Sequence, residues 1–222
     1  MDDSSARSAR DLPKTELKKY NRICHGKYCT RQWCSDSGRN WVCTRCRVVT
    51  FRTVDENGIK NVHDDLFVER YFTKERRESY NEREHAFYFG YLVHLLTDKL
   101  WASKIVYGAK EKFSDLFEQD NTAFWKKIKR DWYDLDFLYL KKYPEFEAFG
   151  IYEGIKEFKN NYLDFFAEDA FVQRKKFIIE FYREGVEKVK ERETYISLDE
   201  LDAFVEYAVE EITEAVNEEI CV

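Results

Sequence analysis

From about Asp64 onward, apolar residues recur every three or four positions with charged residues between them. That is the pattern of helices with one buried face. Leu66, Phe67, Tyr71 and Phe72 mark such a face within 64–81, and His85 to about Lys104 reads as a buried helix. Residues 110–117 form a shorter amphipathic piece. In "TAFWKKIKRDWYDLDFLYLKK" (122–142), Trp125, Ile128, Trp132, Leu135 and Leu138 fall at spacings of three and four, and Pro144 ends the run. "YLDFFAEDAFVQRKKFIIEFYREGVEKV" (162–189) predicts another helix. In "ISLDELDAFVEYAVEEITEAV", Ser197 with Glu200 three residues on forms a capping box. No internal repeat or heptad seam interrupts this order. The pattern predicts an all-α fold, a multi-helix bundle of roughly six to eight helices.

The first third is different. Residues 1–19 are polar and read as a flexible N-terminus. Residues 20–62 read as a Cys-rich irregular segment carrying Cys24, Cys29, Cys34, Cys43 and Cys46, with "DENG" at 55–58 as a turn signal. Residues 63–222 make the all-α domain.

Composition sharpens this in two ways. Only two prolines and eight glycines punctuate 222 residues, which favours long helices. Charge divides along the chain: residues 1–60 hold 13 Lys+Arg against 7 Asp+Glu, a balance of +6, and the remainder holds 24 against 36, a balance of −12. The acidic body argues against a nucleic-acid partner. The start "MDDSSARSARDLPK" has no apolar core of a secretory signal, and the longest apolar run, 86–96, is too short to be a transmembrane segment. The expectation is a cytoplasmic protein.

The chemistry concentrates in "FYFGYLVHLLTDKLW" (87–101). His94 and Asp98 lie four apart in an otherwise apolar helix, so both project from one face. An imidazole and a carboxylate at this spacing can grip one metal ion. They can equally satisfy each other through a buried hydrogen bond. Gly90, one turn earlier, clears space on that face.

Residues 84–220 resemble the zinc-dependent phospholipase C family, in its bacterial branch of small uncharacterised hydrolases. The likeness rests on "FYFGYLVHLLTDKLW", "KRDWYDLDFLYL", "YLDFFAEDAF" and "LDELDAFVEYAVEEI", with "SDSGRNW" at 35–41 resembling that branch's "PDSG" segment. It implies the phospholipase C / P1 nuclease fold. It also implies one zinc held by an early aspartate, here Asp36, by a histidine, and by the pair His94 and Asp98. Where the family places that histidine, in a "THF" segment, this chain reads "VVTFRT". His63, in "NVHDD", is the nearest substitute and is equally readable as a surface histidine. No histidine follows His94. A second metal would need carboxylates, with Asp131, Asp134, Asp136, Glu168 and Asp169 as candidates, so a mononuclear site is the simpler expectation.

The expected activity is metal-dependent hydrolysis of a phosphate ester, a small molecule or a lipid head group. A zinc-activated water would be the nucleophile, Asp131 or Asp134 the base, and Tyr91 and Trp101 walls of the site. Carboxylate-rich sites also accept Mn or Fe. The competing expectation is a catalytically inactive α-helical relative acting as a binding module, since the "THF" histidine is missing. A third is a nucleic-acid binder built on the basic cysteine segment. There Cys24, His25, Cys29, Cys34, Cys43 and Cys46 could hold a structural zinc, though not at a clean C-x-x-C…C-x-x-C spacing. The family likeness fails over 1–34 and 40–50, the pattern expected of a replaced or mis-framed N-terminal segment.

Overall fold

The computed structural model describes residues 51–56, 58–190, 192 and 194–221, with side chains as far as residue 217. Asp36, His25 and the five cysteines from 24 to 46 lie outside the described residues. Strands β1 (Arg52–Val54) and β2 (Lys60–Val62) are followed by helices α1 (Asp64–Tyr71), α2 (Lys74–Ser79) and α3 (Glu82–Trp101). A π-helical turn, Ala102–Val106, leads into α4 (Tyr107–Lys112) and α5 (Ser114–Gln119). Then come α6 (Asn121–Lys142), α7 (Glu147–Gly154), α8 (Ala170–Lys188) and α9 (Leu198–Cys221). The fold is all-α, with one two-stranded antiparallel sheet among the described residues.

Helix α3 organises the rest because it is apolar on more than one face. Tyr88, Leu92 and Leu95 pack with Phe67, Tyr71, Phe72 and Leu163, while Val93 joins Phe204, Val205, Ala208 and Ile212 of α9. Its start is fixed by Asn81, whose side chain accepts from the amides of Arg83 and Glu84 at 3.0 Å while Glu84 reaches back to the Asn81 amide. Helix α6 is amphipathic as its spacing predicts, with Phe124, Ile128, Trp132 and Leu135 buried against Tyr195 and Ile196. Its lower half packs on α8 through Phe137, Ile178 and Tyr182. The Ser197–Glu200 capping box opens α9, with bonds of 2.7 and 3.0 Å.

Four local expectations are corrected. The segment 64–81 is two helices, broken at Phe72 where Thr73 caps α2. The 110–117 piece divides at Phe113. Residues 162–169 are not helical, and α8 begins only at Ala170. The buried Asn160 side chain takes over this backbone: its amide nitrogen donates to the Leu163 and Phe166 carbonyls, and its oxygen accepts from the Tyr162 and Leu163 amides. A side chain meeting so many backbone groups offers the chain an alternative to helix. Finally, the end of the cysteine-rich segment is ordered as a hairpin. Arg52 pairs with Val62, Thr53 with Asn61 and Val54 with Lys60. The "DENG" turn closes it through Asp55, whose side chain accepts from the Ile59 amide at 2.8 Å, with Gly58 at φ +79°.

Candidate functional site

The hairpin lies against α3 and delivers Arg52 to the His94–Asp98 pair. Arg52 and Thr53 are successive strand residues and project to opposite faces. Arg52 faces α3, and its side chain keeps only 7% of its exposure. One nitrogen, Nη2, lies 2.6 Å from His94 Nε2 and 2.6 Å from Asp98 Oδ2. An arginine nitrogen carries two hydrogens, so a single atom donates to both partners. Arg52 Nε is buried without a hydrogen-bond acceptor.

This arrangement fixes the state of His94. Nε2 accepts from arginine, which assigns the ring proton to Nδ1. Burial pushes the imidazole down to about pKa 4; Asp98 works against this, while Arg52 and Lys60 add to it. His94 is therefore neutral at physiological pH. Its Nδ1 lies 4.0 Å from Asp98 Oδ1, too far for a hydrogen bond. The direct His–Asp hydrogen bond does not form, and the two residues meet through Arg52. The Tyr91 ring stands edge-on to His94 at 6.0 Å. A Cβ built on Gly90 would meet nothing within 4 Å, so that face is open as the glycine suggests.

The other expected site residues lie elsewhere. His63 belongs to the Thr53 face of the hairpin: its Nε2 is 3.1 Å from Thr53 Oγ1, and its amide donates to the Phe51 carbonyl. Trp101 packs edge-on against Trp132 and Phe204 in the core. Asp131 is fully buried and takes four donors. Its Oδ1 accepts from Arg192 Nε at 2.6 Å, and its Oδ2 from Arg192 Nη2 and the amides of Tyr195 and Ile196 at 2.9–3.1 Å. Those donors make it the clamp of the loop before α9. Asp134 pairs with Arg130 on the same helix at 2.9 Å. Asp136 accepts from the Tyr182 hydroxyl, Glu168 pairs with Lys159 on the surface, and Asp169 accepts from the Gln173 side chain. These carboxylates serve separate partners and do not converge.

Sequence reasoning missed Arg52 altogether. The signal available was its place in "VVTFRT", where the family pattern has its histidine, but nothing in the sequence ties that strand to a helix 42 positions on. It also missed Asp64, which accepts from Lys99 at 2.7 and 3.0 Å and ties α1 to α3 beside the pair.

No protein-family model matches the chain, and neither a similar curated protein nor a similar solved structure was found. The likeness to the zinc-dependent phospholipase C family rests on the sequence motifs. The donor set itself tests the metal that likeness implies. A zinc centre takes four ligands, or three and a water. Among the described residues no group of three His, Cys, Asp or Glu side chains converges. His94 and Asp98 supply two, and a guanidinium nitrogen stands where both point. A metal dication cannot share that point with a cation. As folded, the described residues do not fit a zinc ion.

Proposed function

We propose that this chain is a non-catalytic helical protein on a hydrolase-like scaffold, acting as a binding module. In it, Arg52 takes the place that the phospholipase-like reading gives to a metal. The observation that supports this is Arg52 Nη2 at 2.6 Å from both His94 and Asp98. A half-buried carboxylate gains from a counter-charge and a half-buried imidazole from a donor, and one guanidinium nitrogen serves both. Both members of the pair are then engaged by Arg52. The dispersal of Asp131, Asp134, Asp136, Glu168 and Asp169 among structural partners points the same way.

A second reading keeps a specific support. A neutral imidazole and a carboxylate converging on one point are the donor types a metal-dependent hydrolase of phosphate esters requires. It needs Arg52 displaced and further ligands supplied, with Asp36 the residue the family likeness nominates. Metal content and phosphodiesterase activity, measured on the purified full chain beside Asp98→Asn, separate the two. The binding-module reading expects no metal that depends on Asp98 and no hydrolysis of a chromogenic phosphodiester above the variant. One zinc, Mn or Fe per chain, lost with hydrolysis in Asp98→Asn, favours the hydrolase.

A further inference from the structure

We infer that the His94–Asp98 pair is a guanidinium receptor that Arg52 fills from within the same chain, and that this contact latches the 52–62 hairpin onto α3. The inference deepens the reading above by naming the chemical class the pair recognises.

Three observations carry it. First, the two acceptors are chemically suited to a planar N–H donor: an imidazole lone pair and a carboxylate oxygen, each 2.6 Å from one nitrogen. Second, the hairpin is short and owes its place to what it packs against. Each strand is three residues long, and Val54 at the end of β1 is 48% exposed. A two-stranded hairpin does not stand alone in water. Its buried anchors are Phe51, which enters the aromatic cluster around Phe67 and Tyr71, Ile59, and Arg52. Third, Arg52 Nε is buried with no acceptor. The guanidinium is therefore held by its tip, not by a complete set of bonds along its edge. A free guanidinium ion in the same place has no tether and can turn to satisfy its remaining donors. Lysine is a poor substitute, since its side chain is one atom shorter and ends in a strongly hydrated point charge.

The test is amide hydrogen exchange at Thr53, Asp55, Asn61 and His63, the amides that point across the hairpin, in the full chain. Arg52→Ala should speed exchange at these amides by about tenfold or more while α6 and α8 keep their protection. Millimolar guanidinium chloride, against matched sodium chloride, should restore slow exchange in Arg52→Ala but not in Arg52→Ala/Asp98→Asn. Arg52→Lys should restore it less than free guanidinium does. Should Arg52→Ala fail to fold, Arg52→Met keeps most of the apolar stem without the charge; wild-type exchange in the hairpin of Arg52→Met would overturn the latch. So would an Arg52→Ala hairpin that ignores guanidinium, or one that manganese restores where guanidinium does not. Metal content of the wild-type chain decides the functional reading, and hairpin exchange in the variants decides this inference, so the two fail separately.

Discussion

Arg52 Nη2 lies 2.6 Å from Asp98 Oδ2, joining a three-residue strand to the last turn of α3. The same atom reaches His94, so an ion pair and a neutral acceptor share one donor group. Removing Asp98 leaves the buried Arg52 charge uncompensated, which is why the pair constrains both the fold and its chemistry.

His94 makes stability depend on acid. Its folded pKa, about 4, lies below the value near 6.5 of an unfolded histidine. Between these values the unfolded chain binds a proton that the folded chain does not, so unfolding gains as pH falls. The contribution is intact above about pH 6.5 and is lost progressively toward pH 4, by at most about 3 kcal/mol for a side chain that keeps 19% exposure. Urea unfolding from about pH 7 down to about pH 4 should show a slope that His94→Gln flattens by close to one proton. Equal slopes in the two proteins would place the titration elsewhere.

Asp131 holds the loop before α9 through Arg192 and the amides of Tyr195 and Ile196. Asp131→Asn keeps the shape but strips the counter-charge from Arg192, whose side chain is only 11% exposed. The expected loss is about 3 kcal/mol. Coupling to Arg192→Ala in a double-mutant cycle should exceed about 1 kcal/mol. Simple additivity would mean that the two side chains act independently.

Gly185 is where Phe137 of α6 meets the backbone of α8. A Cβ there would run into the Phe137 ring, which is enclosed by Tyr133, Phe181 and Tyr182 and cannot swing aside. Helix propensity alone would favour Gly185→Ala by up to about 1 kcal/mol. Overpacking a filled core costs about 1–3 kcal/mol, so the net change should be destabilising. A melting temperature raised in Gly185→Ala would show that the contact yields easily.

Asn160→Asp exchanges a side chain that both donates and accepts for one that only accepts. The Leu163 and Phe166 carbonyls would lose their donor, and the amides of Tyr162 and Leu163 would be retained. A cost of about 3 kcal/mol is expected, with faster proteolysis between residues 155 and 169. Unchanged proteolysis would assign the ordering of this loop to its aromatic packing instead.

Long elements were legible because their signals are local. The spacing of Trp125, Ile128, Trp132 and Leu135 and the stop at Pro144 define α6, and the Ser197–Glu200 box starts α9 within one residue. "YLDFFAED" misleads because its apolar residues also have helical spacing, while the residue that prevents helix, Asn160, lies before it. The His94–Asp98 face could be seen from a spacing of four. Its occupant could not, because a single arginine in a three-residue strand carries no periodicity and its partners are set by the tertiary fold. Asp131 and Asp134 illustrate the converse: their sequence context drew attention, and their environment gives them to Arg192 and Arg130.

The most direct test of the account is elemental analysis of the purified full chain beside Asp98→Asn and Arg52→Ala. If Arg52 is the cation that the pair holds, wild type and Asp98→Asn carry the same metal content, whatever the cysteine segment retains. One equivalent of metal present in the wild type and missing from Asp98→Asn would contradict it and return the pair to the metal-dependent hydrolase.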